Sequence, residues 1–400
     1  MQATAQGWLV LQLTNSPGLL GLVGAVAGLP TLFLAVVAGV LADRMDRRRL
    51  LASGYWLAAA LAAGLGLLTT LGIVAYWQIL LIAFLGGIVV TVQMPAGQAI
   101  VSSIVDRTVL GSAIALNSAQ YNVARIIGPS IAGLAIAAGG LALGFWVNGI
   151  ALLAVGLLIT RLPIPTSRAA NRGEAALWGD LRDGVRHVAG DRVLTALVLL
   201  AAVPALLVLS YLTFLPVYAR DILRIGAPGL GLLTGSIGAG ALGGALLVAT
   251  RRPAGGSGRL VLAGLAAIAV SLFVFAVSTW LPITMAALAV LGASQVAYYS
   301  TTNTLLQVRV PPRLRGRVHS LYVLTSIGLL PIGNLVAGAV AERLGVPFVL
   351  AIGGVLTLVA VIAAATVPTI RRLEAGPPAS VPIGPPASLA GARADRPRSA

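Results

Sequence analysis

Gly39-Val40-Leu41-Ala42-Asp43-Arg44-Met45-Asp46-Arg47-Arg48-Arg49 is a knot of charge between two apolar runs, each long enough to cross a bilayer. Four arginines and two aspartates stand within seven residues. A charge at the centre of the hydrocarbon costs about 3 kcal/mol even on lenient insertion scales. The knot is therefore a short aqueous loop, and the runs beside it are membrane spans. Basic residues in short loops stay in the cytoplasm, so the arginines also assign the loop a side.

Composition extends this to the whole chain. Hydrophobic residues make up 58%, charged residues 10%, and the mean hydropathy is +0.97, the profile of an all-α integral membrane protein. The net charge of +16 would suggest nucleic acid in a soluble domain, but no aqueous segment is large enough to carry a basic face, so no nucleic-acid partner is expected. All 27 basic residues are arginine, which points to codon bias rather than chemistry. Without cysteine there is no disulfide, thiolate or sulfur-ligated metal, and His187 and His319 are too far apart in sequence to suggest a metal site. No nucleophile–base pair or phosphate loop is present, so neither an enzyme nor a cofactor is expected.

In order, Gln2 to Thr14 is apolar but short, and Asn15-Ser16-Pro17-Gly18 makes a turn. Spans follow at about Leu19–Leu41, Leu50–Val74, Tyr76–Ala99, Ser112–Ala138 and Leu141–Leu162. Residues 1–162 thus form a first six-helix bundle. Residues 163–192 read as a cytoplasmic linker, in which Leu177, Trp178, Leu181, Val185 and Val188 recur at helical spacing opposite Asp180, Arg182, Asp183 and Arg186. A second bundle, 193–368, holds spans at about Val193–Ala219, Gly229–Thr250, Leu260–Ser278, Pro282–Leu306, Val318–Ala341 and Val346–Val367. The tail, 369–400, has the composition of a disordered cytoplasmic segment.

The arginines fit this topology. Twenty-three of 27 fall on the side of the knot, Arg220, Arg224 and Arg343 fall opposite, and Arg125 lies within a span. Both termini are then cytoplasmic. Gly39 and Gly243, Arg47 and Arg251, and Arg48 and Arg252 are each 204 residues apart, and Gly111/Gly316 and Gly133/Gly338 are 205 apart, as a parallel duplication of six helices requires. Leu247 stands where Asp43 would repeat. Subtracting the offset from the start of helix 7 puts the start of helix 1 about eleven residues before Met1, so the first helix is expected to be truncated.

Gly39, Leu41, Asp43, Arg44, Arg47, Arg48 and Arg49 also spell a pattern that resembles the loop between helices 2 and 3 of the major facilitator superfamily. The form with Asp46 in place of a second glycine is similar to the drug:proton antiporter branch that holds macrolide-efflux and enterobactin-exporter proteins. The resemblance implies two six-helix bundles, with Gly39, Asp43, Arg44, Arg47 and Arg48 as a gating motif. Arg125, Gly128, Pro129 and Gly133 resemble the helix 5 motif of antiporters in that superfamily, where proline kinks the helix and glycine admits a neighbour, so they are expected to form a hinge or seal. The chain departs from close relatives at Gln93 and Gly97, where an acidic and a basic residue are usual. No Asp or Glu lies mid-helix. Asp221 is expected to pair with Arg220 at the outer end of helix 7.

The expected substrate cavity is lined by neutral polar and aromatic groups: Gln93, Asn117, Gln120, Tyr121 and Asn122, with Tyr298, Tyr299 and Asn303. Any of the amides could instead bridge helices. The leading reading is a monomeric, multi-pass exporter in the inner membrane. It would move hydrophobic or amphipathic molecules, drug-like or siderophore-like, by alternating access, with lipid bilayer, substrate and protons as partners. An uptake carrier of the same fold and a transport-inactive truncated protein are the alternatives.

Overall fold

The computed structural model describes residues 1–104, 110–162, 182, 184–250, 257–311 and 314–366; along some helical turns only the backbone is described. Its helices are α1 Gln2–Thr14, α2 Pro17–Arg44, α3 Arg47–Thr70 and α4 Tyr76–Ile104, followed by the element Leu110–Arg161, which bends into α5 (110–138) and α6 (141–161). Then come α7 Arg192–Ile222, α8 Gly226–Thr250, α9 Ser257–Val277, α10 Leu281–Arg309, α11 Arg315–Leu344 and α12 Val346–Ala365. Ten stretches among the described residues are long and apolar enough to span a membrane. The architecture is the two-bundle, all-helical one expected, and most boundaries differ from expectation by a few residues.

Local chemistry explains where the helices start and bend. The Asp46 side chain accepts hydrogen bonds from the backbone N–H of Arg48 at 2.9 Å and Arg49 at 3.2 Å, so the knot that breaks α2 also caps the start of α3. Gly140, at φ 75°, turns α5 into α6 in a conformation that L residues avoid. Asp191 caps α7 through Val193 N–H at 2.7 Å and is bound by Arg309 of α10 at 3.2 Å. Burial works to raise its carboxyl pKa, but the hydrogen bonds from Val193, Arg309 and Leu194 outweigh it and hold the group below the usual carboxylate range. Of the expected amphipathic linker helix, residues 184–190 are helical and the rest lies almost wholly outside the described residues.

The sequence predicts one unbroken helix over 193–219, but α7 is segmented. Regular helix stops at Leu207, resumes over Tyr211–Val217 and ends in a π turn, Tyr218–Ile222. Pro204, inside the first segment, has no N–H to give to the carbonyl of Leu200. That carbonyl is met by the hydroxyl of Tyr298 on α10 at 2.7 Å. A second π turn, Leu324–Gly328, interrupts α11.

Helix contacts follow the duplication. α2 packs on α4 and α8 on α10, within separate halves. A Cβ on Gly87 of α4 would strike the carbonyl of Ala27, and one on Gly292 of α10 would strike that of Ile237. These two glycines are again 205 residues apart. Between halves, α2 packs on α11 and α5 on α8, with the two pairs exchanged by the same offset. Apolar side chains such as Phe33, Leu116 and Leu199 are exposed, as is usual for helices whose surroundings are lipid.

Tyr298→Phe should leave the Leu200 carbonyl unpaired in an apolar interior and cost roughly 1–3 kcal/mol. A lowered midpoint of thermal unfolding in detergent checks it, and an unchanged midpoint would show that another donor reaches the carbonyl.

Candidate functional site

A cavity of about 500 Å³ lies where the two halves meet. The first half contributes α1 (Thr4, Gln6, Gly7), α2 (Leu20, Val23, Gly24, Ala27) and Ala124 of α5. The second contributes α7 (Leu212, Thr213, Leu215, Pro216) and α8 (Leu230, Thr234, Ile237, Gly238). Its polar groups are few and mostly committed. Gln6 donates to the carbonyl of Ile79 at 3.2 Å, Thr234 to that of Leu230 at 2.8 Å, and Thr213 to Asn334 Oδ1 at 3.2 Å. Among the described residues no ionised side chain lines the space, although Met1, which carries the chain's amino group, is one of its lining residues. Such a cavity favours neutral or amphipathic organic molecules, held by shape and apolar contact with hydroxyl oxygens left to accept.

One end of the cavity is sealed by glycines. Along α2, Gly18, Gly21, Gly24 and Gly28 face, in antiparallel register, Glu342, Gly338, Asn334 and Pro331 of α11. A Cβ on Gly21 would stand 2.6 Å from the Cα of Gly338, and one on Gly24 would stand 2.8 Å from Asn334 Nδ2. Gly133 of α5 does the same against α8, where a Cβ would lie 2.9 Å from the carbonyl oxygen of Ala227. Gly133 and Gly338, paired by the repeat, thus sit at equivalent positions in the two inter-half contacts.

Beyond the glycines, the α1–α2 turn is gripped twice by the second half. Glu342 Oε2 accepts from Ser16 Oγ at 2.7 Å and from Gly18 N–H at 2.8 Å. Arg220 donates to the carbonyl of Leu11 at 2.7 Å and to Asn15 Oδ1 at 2.6 Å, and it pairs with Asp221 at 2.6 Å as expected.

The expected site residues are dispersed. In the gating motif, Arg48 donates through Nε to the carbonyl of Ile159 at 3.3 Å and through Nη2 to that of Thr160, capping the end of α6, and Arg47 is half-buried. The side chains of Asp43, Arg44, Asn117, Tyr121, Asn122, Arg125 and Pro129, and the packing around Gly39, lie outside the described residues. Gly128 is half-buried on α5.

Of the residues expected to line the cavity, those described make other contacts or lie away from this space. Gln93 is wedged against Gly54 of α3 and directs its amide to the carbonyl of Leu51 at 3.4 Å, bridging helices inside the first half. Gln120 is exposed. Tyr298 has no exposed surface and serves the Leu200 carbonyl. Asn303 accepts from Gln307 one turn along its own helix. Tyr299 keeps a buried hydroxyl that has no hydrogen-bond partner among the described residues, and it is not among the residues lining this cavity. The groups that do line it, Thr4, Thr213 and Thr234, look in sequence like ordinary small helix residues. The run Gly18, Gly21, Gly24 and Gly28 was a readable signal, since that spacing puts a smooth stripe on one helix face.

Two bundles meeting at a membrane-embedded cavity, with paired contacts between α2 and α11 and between α5 and α8, define a secondary transporter of the major facilitator type. The chain belongs to the transmembrane secretion effector family of that superfamily, whose model matches residues 1–387. It is similar to the multidrug efflux pump Tap of Mycobacterium tuberculosis, at 28% identity over 94% of this chain and 92% of that protein. Macrolide efflux protein A of Streptococcus pyogenes is 22% identical over 90% of each chain. The crystal structure of the nucleoside transporter NupG shares the fold, with a TM-score of 0.71 at 15% identity, over 90% of this chain and 93% of that one.

Gly24→Leu should fill the cavity beside Asn334 and Thr213 and force α2 from α11. Transport should fall at least about tenfold while the protein still reaches the membrane, because a leucine overpacks the space held by the Asn334 and Thr213 side chains. Wild-type transport would place the substrate elsewhere.

Proposed function

We propose that this protein exports neutral and amphipathic small organic molecules by alternating access, driven by the proton gradient. The observation that carries this reading is the cavity between the halves, mainly apolar and lined by no ionised side chain among the described residues, beside close glycine contacts. The near full-length likeness to Tap and to macrolide efflux protein A supports export and the type of cargo.

In this reading the protein works as a monomer in the inner membrane, with the bundles at 1–162 and 193–368 joined by the linker 163–192. The arginine-rich ends and both termini face the cytoplasm. The α1–α2 turn then faces outward, and the state described is closed to the outside. Asp43, with Gly39, Arg44, Arg47 and Arg48, governs closure on the cytoplasmic side, where the N-terminus of a facing helix would favour an anion. Arg125, an arginine inside a span, sits with Gly128, Pro129 and Gly133 on the helix that seals against α8, and acts on cargo or on neighbouring amides.

Inside-out vesicles should accumulate an amphipathic fluorescent dye when a proton gradient is imposed and lose it when a protonophore is added. Accumulation only in right-side-out vesicles would make the protein an uptake carrier, and indifference to the gradient would remove proton coupling. In the same vesicles, Asp43→Asn and Arg125→Ala should each depress uptake strongly with insertion intact. Unchanged uptake would reduce the residue concerned to packing.

A further inference from the structure

Of the chain's 11 carboxylates, nine fall by chain order on the arginine-rich side, and the remaining two, Asp221 and Glu342, stand at the two grips on the α1–α2 turn. They are not equivalent. Asp221 is occupied by its neighbour Arg220 in a two-pronged pair, at 2.6 and 2.9 Å, within one element. Glu342 forms no ion pair among the described residues and spends one oxygen, Oε2, on two donors from the opposite half, Ser16 Oγ and Gly18 N–H. The Ser16 hydroxyl in turn accepts from Leu19 N–H at 3.0 Å, which ties the grip to the first turn of α2. Glu342 is exposed on this face, so water there can exchange a proton with it.

We propose that Glu342 is the proton-responsive latch of the outer gate. Its ionised carboxylate holds the α1–α2 turn against α11, and a proton taken from the external water loosens that hold, so that acid outside favours opening towards the side where cargo is released. The proposal rests on the outward orientation of the turn given above. The physical basis is that hydrogen bonds to an ionised acceptor are about twice as strong as those to a neutral one. Once Glu342 carries a proton, Oε2 meets Ser16 and Gly18 with a weaker acceptor or with a donor. Glu342 acts as a positioning residue through the turn and need not touch cargo. Other charged groups on the elements that meet here are Arg343 on α11 and Arg220, Asp221 and Arg224 at the end of α7; the α1–α2 turn has none. The glycine stripe beneath the latch presents no side chains from α2, so only those of α11, such as Asn334 and Pro331, have to withdraw when it opens.

The chain has no cysteine, so Val23→Cys, in the cavity below the latch, gives a single reporter. Full-length protein in proteoliposomes, sorted for orientation, is treated with a membrane-impermeant thiol reagent from the turn side. Buffers at about pH 4.5 and about pH 7.5 bracket carboxylate titration. With Glu342 intact, labelling should be about tenfold faster in acid, the factor expected when charge-assisted bonds become neutral ones. Glu342→Gln, which mimics the protonated state, should label fast at both pH values. Ser16→Ala should label faster at neutral pH and keep part of the response through Gly18. Arg220→Gln, which releases the other grip, should raise labelling while leaving the acid response in place, separating general loosening from proton sensing. An acid response that persists undiminished in Glu342→Gln overturns the proposal, as does equal labelling at both pH values with Glu342 intact. Dye transport in the same preparation reads separately: failure of gradient-driven export with a Glu342-dependent labelling response would remove the transport reading and leave the latch.

Discussion

Hydrocarbon offers a peptide group no hydrogen bond, so each break in a helix must find a substitute donor or acceptor inside the protein. Pro204 leaves the Leu200 carbonyl bare, and Tyr298 crosses from α10 to meet it. α9 ends at Val277, and the carbonyl of Ala276 takes the hydroxyl of Tyr218 at 2.9 Å. Hydroxyls without such a task turn back on their own helix, as Thr91 does to Gly87 and Thr357 to Gly353, each at 2.7 Å. The same economy shapes the cavity. Because Gln6, Thr213 and Thr234 already give their donors to the protein, a molecule entering meets mainly apolar surface and weak acceptors. Selection by shape and hydrophobicity follows, and it tolerates variety in cargo.

Lipid tails are as apolar as leucine, so the two halves are not driven together by a hydrophobic force between helices. What holds them is close approach, and close approach needs glycine. The repeat provides it twice, at Gly338 against Gly21 and at Gly133 against Ala227 and Gly231. Each such contact gains only small dispersion terms, spread over a smooth surface with few interlocking side chains. A contact of that kind can be made and broken many times. Inside each half the helices are also cross-linked by polar groups, such as Gln93 from α4 to α3 and Tyr298 from α10 to α7, so the bundles tend to move as units.

These differences explain what could be read from the sequence. Span positions were legible because a bilayer imposes length and apolarity on every crossing, and α1, α4 and α8 fall within a few residues of expectation. The duplication was legible because the knot marks the same place in both halves. The cavity was not. Polarity within a span marks Gln93, Tyr298 and Asn303 as candidates, but it does not say whether a group faces a void or a neighbouring group, and in all three one polar atom is bonded to the protein. Apart from Gln6, the side chains described as facing the void carry small hydroxyls or no polar group. The segmentation of α7 went unread: Pro204 and Pro216 each lack an N–H, but a proline within a span does not by itself say where the helix stops or resumes.

Charge is used differently at the two ends of the bundle. At the arginine-rich end the described polar links stay within a half: Asp46 caps α3, Arg48 caps α6, and Asp191 joins the start of α7 to Arg309 at the end of α10. These fix helix ends against their own bundle and oppose nothing when the halves part. At the other end Arg220 reaches the Leu11 carbonyl in the last turn of α1, where a cation meets the negative end of the helix dipole, and Glu342 reaches the first turn of α2. Both links cross between halves, so both must break whenever that end opens. They lie near water, where ionic strength and solvent weaken them, unlike the glycine contacts deeper in the membrane. The contact between the halves at this end therefore has two layers that differ in kind: one set by glycine packing, which ionic strength hardly alters, and one set by charge near water, which it alters directly.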